Sequence, residues 1–324
     1  MILLHNELKK ANDVPKLLME NAALWRLRKF LNEKEPELVY WLVTLWRHQG
    51  DAITYKELRE WILNGEISQE AIEDWQQDYS KFVAKYMAPL YSKAIEEANS
   101  ELKEKFLENY NFTDEHVQLY TAQFSARFVT NSTNEQITAI RQVVRRAMNM
   151  KDITVDGLAR AIRPMVGLDI RQTRANMNYY EQLINHGMSE KRALDKSIRY
   201  GARQHRHRAY RIARTETAFA YNRGEHEGIK RAQNLGLMGR TTKKWCTADD
   251  ERVCSICAGL DGKEIEMEDR FNFPTNLPAS YQITPPAHPH CRCAVLYLEK
   301  EPPTFTPQFE VSGPASMQMQ LGNS

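Results

Sequence analysis

Over the first two-thirds of the chain, apolar residues recur at three- and four-residue intervals, the period of a helix with one buried face. Trp25, Leu27, Phe30 and Leu31 sit near this spacing, and Leu38, Trp41, Leu42, Leu45 and Trp46 make a clear apolar face. Thr54-Tyr55-Lys56-Glu57 has the form of a capping box, which opens a short helix that Asn64-Gly65 ends. Ser68 can cap the next helix, and Pro89 kinks or breaks the long helical stretch that follows. Ser132-Thr133-Asn134-Glu135 has the form of a second capping box. Behind it Ile137, Ile140, Val144, Ala147 and Met148 form one stripe, and Asn149 with Lys151-Asp152 closes that helix. A shorter helix is predicted from Val155 to Arg163, ended by Pro164 and Gly167, and helices continue to the natural stop at Asn234-Leu235-Gly236.

The pattern changes near Leu237. Lys243 to Thr247 reads as extended, Asp249-Asp250-Glu251 and Leu260 to Lys263 as turns, and Ala294 to Leu298 as a short buried strand. Phe273 to His290 is rich in Pro and polar residues and reads as loop. The expected fold is α+β and predominantly α-helical. An acidic helical region (1–110) precedes a basic helical region (111–236), a small β/loop module (237–300) and a flexible C-terminal tail (301–324).

Within the basic region, Ile212, Glu216 and Phe219 are spaced four and three apart and share a helix face. Glu216 therefore sits in an apolar stripe, and a buried carboxylate needs a partner. Arg252 or Arg292 is the expected partner, tying this helix to the C-terminal module. The neighbouring stripe of Ala213, Thr217, Ala220, Gly224 and Gly228 is small enough to admit another backbone.

Composition adds little by itself. The 324 residues are 42% hydrophobic and 27% charged, with a net charge of +2, which excludes a wholly disordered chain. No apolar run approaches the roughly 20 residues of a spanning helix, so no membrane partner is expected. No basic region precedes the short apolar start at Met1, and no small-residue cleavage site follows it. A secretory signal is therefore not expected, and a reducing cytoplasm is. Charge is nevertheless laid out unevenly. Residues 51–115 hold fifteen acidic against seven basic residues, and 141–214 hold seventeen basic against six acidic. The two segments pair with each other in the fold, or the basic one faces nucleic acid or an acidic partner through Arg141, Arg145, Arg146, Arg199, Arg203, Arg206 and Arg208. The helices around Asn64-Gly65 have the outline of a helix-turn-helix, but the second carries Glu70, Glu73, Asp74 and Asp78, a face that repels phosphate.

All five cysteines lie between 246 and 293. Cys254-x-x-Cys257 is followed some thirty residues later by His288-Pro289-His290-Cys291-Arg292-Cys293, a layout that suits a tetrahedral Zn2+ site. Cys254, Cys257 and Cys291 are the expected ligands, with His288 or Cys293 as the fourth and Cys246 outside the site. Four protein ligands would close the site to catalysis. A nucleobase-deaminase site is not indicated, because His226-Glu227 lacks the spacer residue and Val253 stands where Pro should precede the knuckle.

Taken in order, Arg211-Ile212-Ala213-Arg214-Thr215-Glu216-Thr217, Tyr221-Asn222, Lys244-Trp245, Asp250-Glu251-Arg252-Val253-Cys254, Leu260-Asp261-Gly262 and Pro285-Pro286-Ala287-His288-Pro289-His290-Cys291-Arg292-Cys293 resemble the Mu F-like minor head proteins of tailed bacteriophages, the phage head morphogenesis family. The resemblance is strongest from Arg199 to Leu298. It departs at His290, where the family usually has Asn. It implies a virion component made in the infected bacterium, present in few copies, associated with the portal and other capsid or scaffold proteins, and lying inside the head near packaged DNA. Some relatives carry toxin or ADP-ribosyltransferase domains. The competing class is an enzyme acting on nucleic acid or nucleotide, with His205, His207 and Glu216 as acid/base groups. His205 and His207, two apart, point to different sides of a helix and read as solvated members of a basic face. No phosphate-binding loop, nucleophile elbow or paired-carboxylate motif accompanies them.

Overall fold

The computed structural model describes residues 2–3, 16–106, 114–147, 154–248, 250–275 and 282–303. Met148, the helix end at Asn149 and Lys151-Asp152, Asp249, residues 276–281 of the proline-rich loop and the tail from residue 304 lie outside the described residues.

Local signals set several helix ends. The Thr54 hydroxyl accepts the Glu57 N–H while the Glu57 carboxylate accepts the Thr54 N–H, so the reciprocal box starts α2 (Tyr55–Asn64), and Gly65 closes it. The Ser68 hydroxyl caps α3 (Gln69–Phe82). A single π-helical turn, Val83–Met87, then leads into α4 (Ala88–Ala98), with Pro89 in its first turn. Proline has no N–H to give and is tolerated there. Ahead of these, α1 (Lys16–Ala52) runs unbroken through Pro36. After α4 come α5 (Ser100–Phe106), α6 (Asp114–Ala147), α7 (Val155–Ile162), a 3-10 turn (Arg163–Met165), α8 (Ile170–Asn185) and α9 (Glu190–Asn234).

One expected start fails. Residues Ser132 to Glu135 lie inside continuous α6 and open nothing. Ser132 and Thr133 are buried, and the Glu135 carboxylate is taken by Arg208 of α9 at 2.5 Å. Tertiary packing overrides the four-residue pattern here.

Among the described residues, two large cores draw on both helical regions. One gathers Leu27, Leu42, Trp46, Tyr91, Phe128 and Phe219 from α1, α4, α6 and α9. The other gathers Trp61, Trp75, Ile140, Leu158, Met177 and Tyr180 from α2, α3, α6, α7 and α8. The small-residue stripe of α9 does admit another backbone: a Cβ on Gly224 would stand 2.8 Å from the Ile95 Cα of α4. Gly167, at φ +87°, presses on the Trp46 indole, where a Cβ would stand 2.2 Å from Cγ.

The C-terminal module is a four-stranded sheet in the order β1-β4-β2-β3. Strands β2 (Thr241–Cys246), β3 (Glu264–Glu266) and β4 (Ala294–Glu299) pair antiparallel, with Lys243 opposite Ile265 and Tyr297. β1 (Ile2–Leu3) adds a parallel edge beside Tyr297 and Leu298. Between β2 and β3 lies α10 (Ser255–Leu260). The module's own core is small: Trp245, Leu260, Phe271 and Phe273, together with Cys257, Cys291 and Cys293. Among the described residues, no helix is long and apolar enough to cross a membrane.

Candidate metal centre

The knuckle comes from the start of α10. Cys254 is its N-cap residue, and its sulfur accepts the Cys257 N–H at 3.4 Å. That bond turns both sulfurs to one side. The loop before β4 brings the rest. His288 Nε2 lies 3.1 Å from Cys254 Sγ and 3.2 Å from Cys257 Sγ, and Cys257 Sγ lies 3.8 Å from Cys291 Sγ. The donors form two triads that share Cys257: Cys254–Cys257–His288 and Cys257–Cys291–Cys293, each within 4.8 Å.

Within each triad these separations lie near those around a tetrahedral ion, and the two triads meet at Cys257. Two sulfurs about 2.3 Å from zinc stand roughly 3.8 Å apart, and a sulfur and a ring nitrogen roughly 3.6 Å apart. The thiol–imidazole distances are a few tenths of an ångström inside that value. His288 Nδ1 donates to the Pro289 carbonyl at 2.8 Å, which leaves Nε2 as the lone-pair nitrogen facing the thiols. Metal-binding histidines are commonly oriented by such a bond. The neighbouring thiols of Cys257 and Cys293 hold Cys291 well below the ordinary thiol range. Cys246 stands apart, its thiol against the Lys244 carbonyl and pushed up to about 12 by burial.

A bidentate ion pair braces the same two loops. Arg292 donates to both Asp250 oxygens, at 2.5 and 2.6 Å, and holds that carboxyl well below the usual carboxylate range. Arg252 also turns to Asp250, at 3.3 Å. The expected pairing of either arginine with Glu216 is therefore corrected. Glu216 faces α4 and α6, where it accepts from the Tyr91 hydroxyl at 3.2 Å and Arg127 at 3.4 Å. Burial raises its pKa, partly offset by Arg127. Thr215 and Asn222 tie the helix to the module instead. The Thr215 hydroxyl accepts the His290 N–H at 3.3 Å, and the Asn222 amide donates to the Cys293 carbonyl at 3.4 Å. Both stood in the quoted motifs, but nothing in their spacing marked a tie.

His290 is not among the clustered donors. Its ring lies 5.7 Å from that of His207, and its backbone is left-handed at φ 65°. Asn, His and Asp are the residues that tolerate this conformation best, a physical reason for Asn or His at this position.

The arginines read as a contact surface separate into two groups. Arg141, Arg145, Arg199, Arg203 and Arg206 are exposed. Arg146 is half-buried against Glu181 at 2.7 Å. Arg208 is fully buried and corrects the expectation. It donates to the Gly167 carbonyl at 2.7 Å and to Glu135, and stacks 5.3 Å from the Trp46 ring. His205 is likewise buried rather than solvated. Its Nε2 meets the Val166 carbonyl at 2.8 Å, and burial lowers its pKa to about 4. His207 is exposed. The acidic and basic segments meet through Arg163 and Asp51 at 3.7 Å. Other basic residues of 141–214 pair instead with Glu35, Glu135, Asp169 and Glu181.

No match was found among curated proteins or among solved structures. Residues 138–296, a little under half of the chain, match the family model described as Phage Mu protein F like protein. The match runs from within α6 to β4 and so takes in α9 and every clustered sulfur and imidazole. Over residues 138–296, the chain is similar to the Phage Mu protein F-like family.

Proposed function

We propose that this chain is a structural protein of a phage head, acting in head morphogenesis, whose C-terminal module is held together by a zinc ion. The family match supports the head assignment. The observation that supports the metal is the meeting of donors from two loops more than thirty residues apart around Cys257. Cys254, Cys257, His288 and Cys291 are the proposed ligands, and Cys293 is a neighbouring thiol. A zinc ion with four such ligands acts as a cross-link. Apparent binding of about 10–16 kcal/mol in small modules is enough to decide whether a core of this size folds. The exposed arginines Arg141, Arg145, Arg199, Arg203 and Arg206 face packaged DNA or an acidic surface of the portal, capsid or scaffold.

Two measurements test the reading. Elemental analysis of the purified protein is expected to give one zinc per chain, retained in Cys293→Ser and lost in Cys257→Ser. Protein detection in purified virions, followed by pull-down with the portal protein, is expected to find the chain in the head fraction. A metal-free, fully folded protein would remove the zinc part; absence from virions would remove the head part.

A further inference from the structure

A concave cleft of about 380 Å3 opens between α1, α7, the 3-10 turn and α9, away from the sulfur cluster. Four guanidinium groups line it, from Arg47, Arg160, Arg163 and Arg206, against one carboxylate, Asp51. Among the described residues, no ion pair joins Arg47, Arg160 or Arg206 to a carboxylate. Arg163 is anchored by donation to the backbone carbonyls of Gly50, at 2.7 Å, and Asp51. Arg160 and Arg163 both stand over the half-exposed Tyr55 ring, at 5.9 and 5.2 Å. The remaining wall is apolar, with Val43, Pro164 and Ile198, and its depth holds the Trp46 and His205 rings 5.7 Å apart.

The site continues along α9. Arg199, Arg203, Arg206 and Tyr210 follow at steps of four, three and four residues and so share one face. A second depression of about 300 Å3 shares Ala202 and Arg206 with the first and adds Arg203, His207 and Tyr210. Together they make a path with cations and exposed tyrosines interleaved.

We infer that this path binds single-stranded nucleic acid, with the α1–α7–α9 cleft receiving a base and its phosphate. The inference deepens the DNA-contact part of the proposed function and rests on it. A phosphate answers the unpaired arginines, and a flat base answers the apolar, aromatic-lined depth. A carboxylate side chain of an acidic protein would answer only the first. Duplex DNA keeps its base faces stacked inside and presents phosphates and base edges, but no free base face for a cleft to receive. Aromatic faces interleaved with arginines are the usual means of holding an unpaired strand without sequence preference.

The test is fluorescence anisotropy with the full chain and a labelled deoxyoligonucleotide of mixed sequence, single-stranded or annealed to its complement, at equal salt. The single strand is expected to bind about tenfold or more tightly than the duplex, with Tyr55→Ala lowering single-strand affinity at least about fivefold, the lower end for one lost stacking contact. Arg160→Ala combined with Arg206→Ala is expected to lower single-strand affinity about tenfold while changing duplex affinity much less. Both arginines are exposed, so circular dichroism is expected to be unchanged by these substitutions. Equal binding of both forms, lowered alike by the double variant, would overturn the inference and leave a plain electrostatic surface. So would polyglutamate binding that needs these arginines in the absence of oligonucleotide binding. Either failure leaves the head assignment standing, since that is decided by the virion fraction.

Discussion

His205 and His226 are imidazoles held inside the protein, and both resist protonation there. Burial is the main cause for each, followed at His226 by Lys243. The sign follows directly. Above the ordinary pKa of about 6.5, neither the folded nor the unfolded state carries the proton, so stability is unaffected. As pH falls below it, the unfolded chain takes up protons that the folded one refuses, and stability drops. For His205 the loss continues to about pH 4 and amounts to roughly 3 kcal/mol. Urea midpoints measured from pH 8 to pH 4.5 should therefore fall, and His205→Gln, which keeps a donor for the Val166 carbonyl but does not titrate, should flatten part of that fall. At Glu216 the expected cost is one of lost partners. Glu216→Ala removes an acceptor from the Tyr91 hydroxyl and from Arg127 and should lower stability by about 1–2 kcal/mol. Glu216→Gln keeps an acceptor and should cost less; the same urea titration compares them.

At the scale of elements, the approach of α4 to α9 at Gly224 is the tightest constraint. Gly224→Val would push the Ile95 backbone away and should cost about 1–3 kcal/mol or more, with loss of the helix contact visible as faster amide exchange in α4. This contact was legible in the run of small residues from Ala213 to Gly228, because spacing alone decides which residues share a face. The Thr54 box was legible for the same reason, being complete within four residues. Ser132 to Glu135 carries a similar pattern and misleads, because the partner that claims Glu135 is Arg208, on a helix far along the chain. Partners of Glu216 and Arg292 were illegible on equal grounds: which helix faces another depends on packing angles that no local pattern records. β1 and β3, of two and three residues, are too short to carry a period. The donor cluster was legible because a metal knuckle needs its cysteines close in sequence. Burial of Lys243 was not, since nothing in the strand signals that its ammonium reaches the Met267 carbonyl at 2.8 Å.

For the whole molecule, the helical cores and the sulfur-lined core are separate clusters. Removing the proposed zinc should therefore act unevenly. Chelation of the full chain is expected to expose Trp245, read as a red-shifted tryptophan emission, while most far-ultraviolet helical signal persists. Loss of all helical signal with the metal would contradict this division.

The 45 residues of α9 form one rod, about 67 Å long at helical rise, that passes the arginine cleft and reaches the sheet. Two of its three interior glycines are packed in: Gly201 against Asn176 and Pro164, and Gly224 against Ile95. Left-handed glycines at 187 and 236 lie just outside its ends, where an added Cβ would meet nothing. Bending at Gly201 or Gly224 would disturb those contacts, so a displacement imposed on one end of the rod is expected to be carried to the other, as by a lever rather than a hinge.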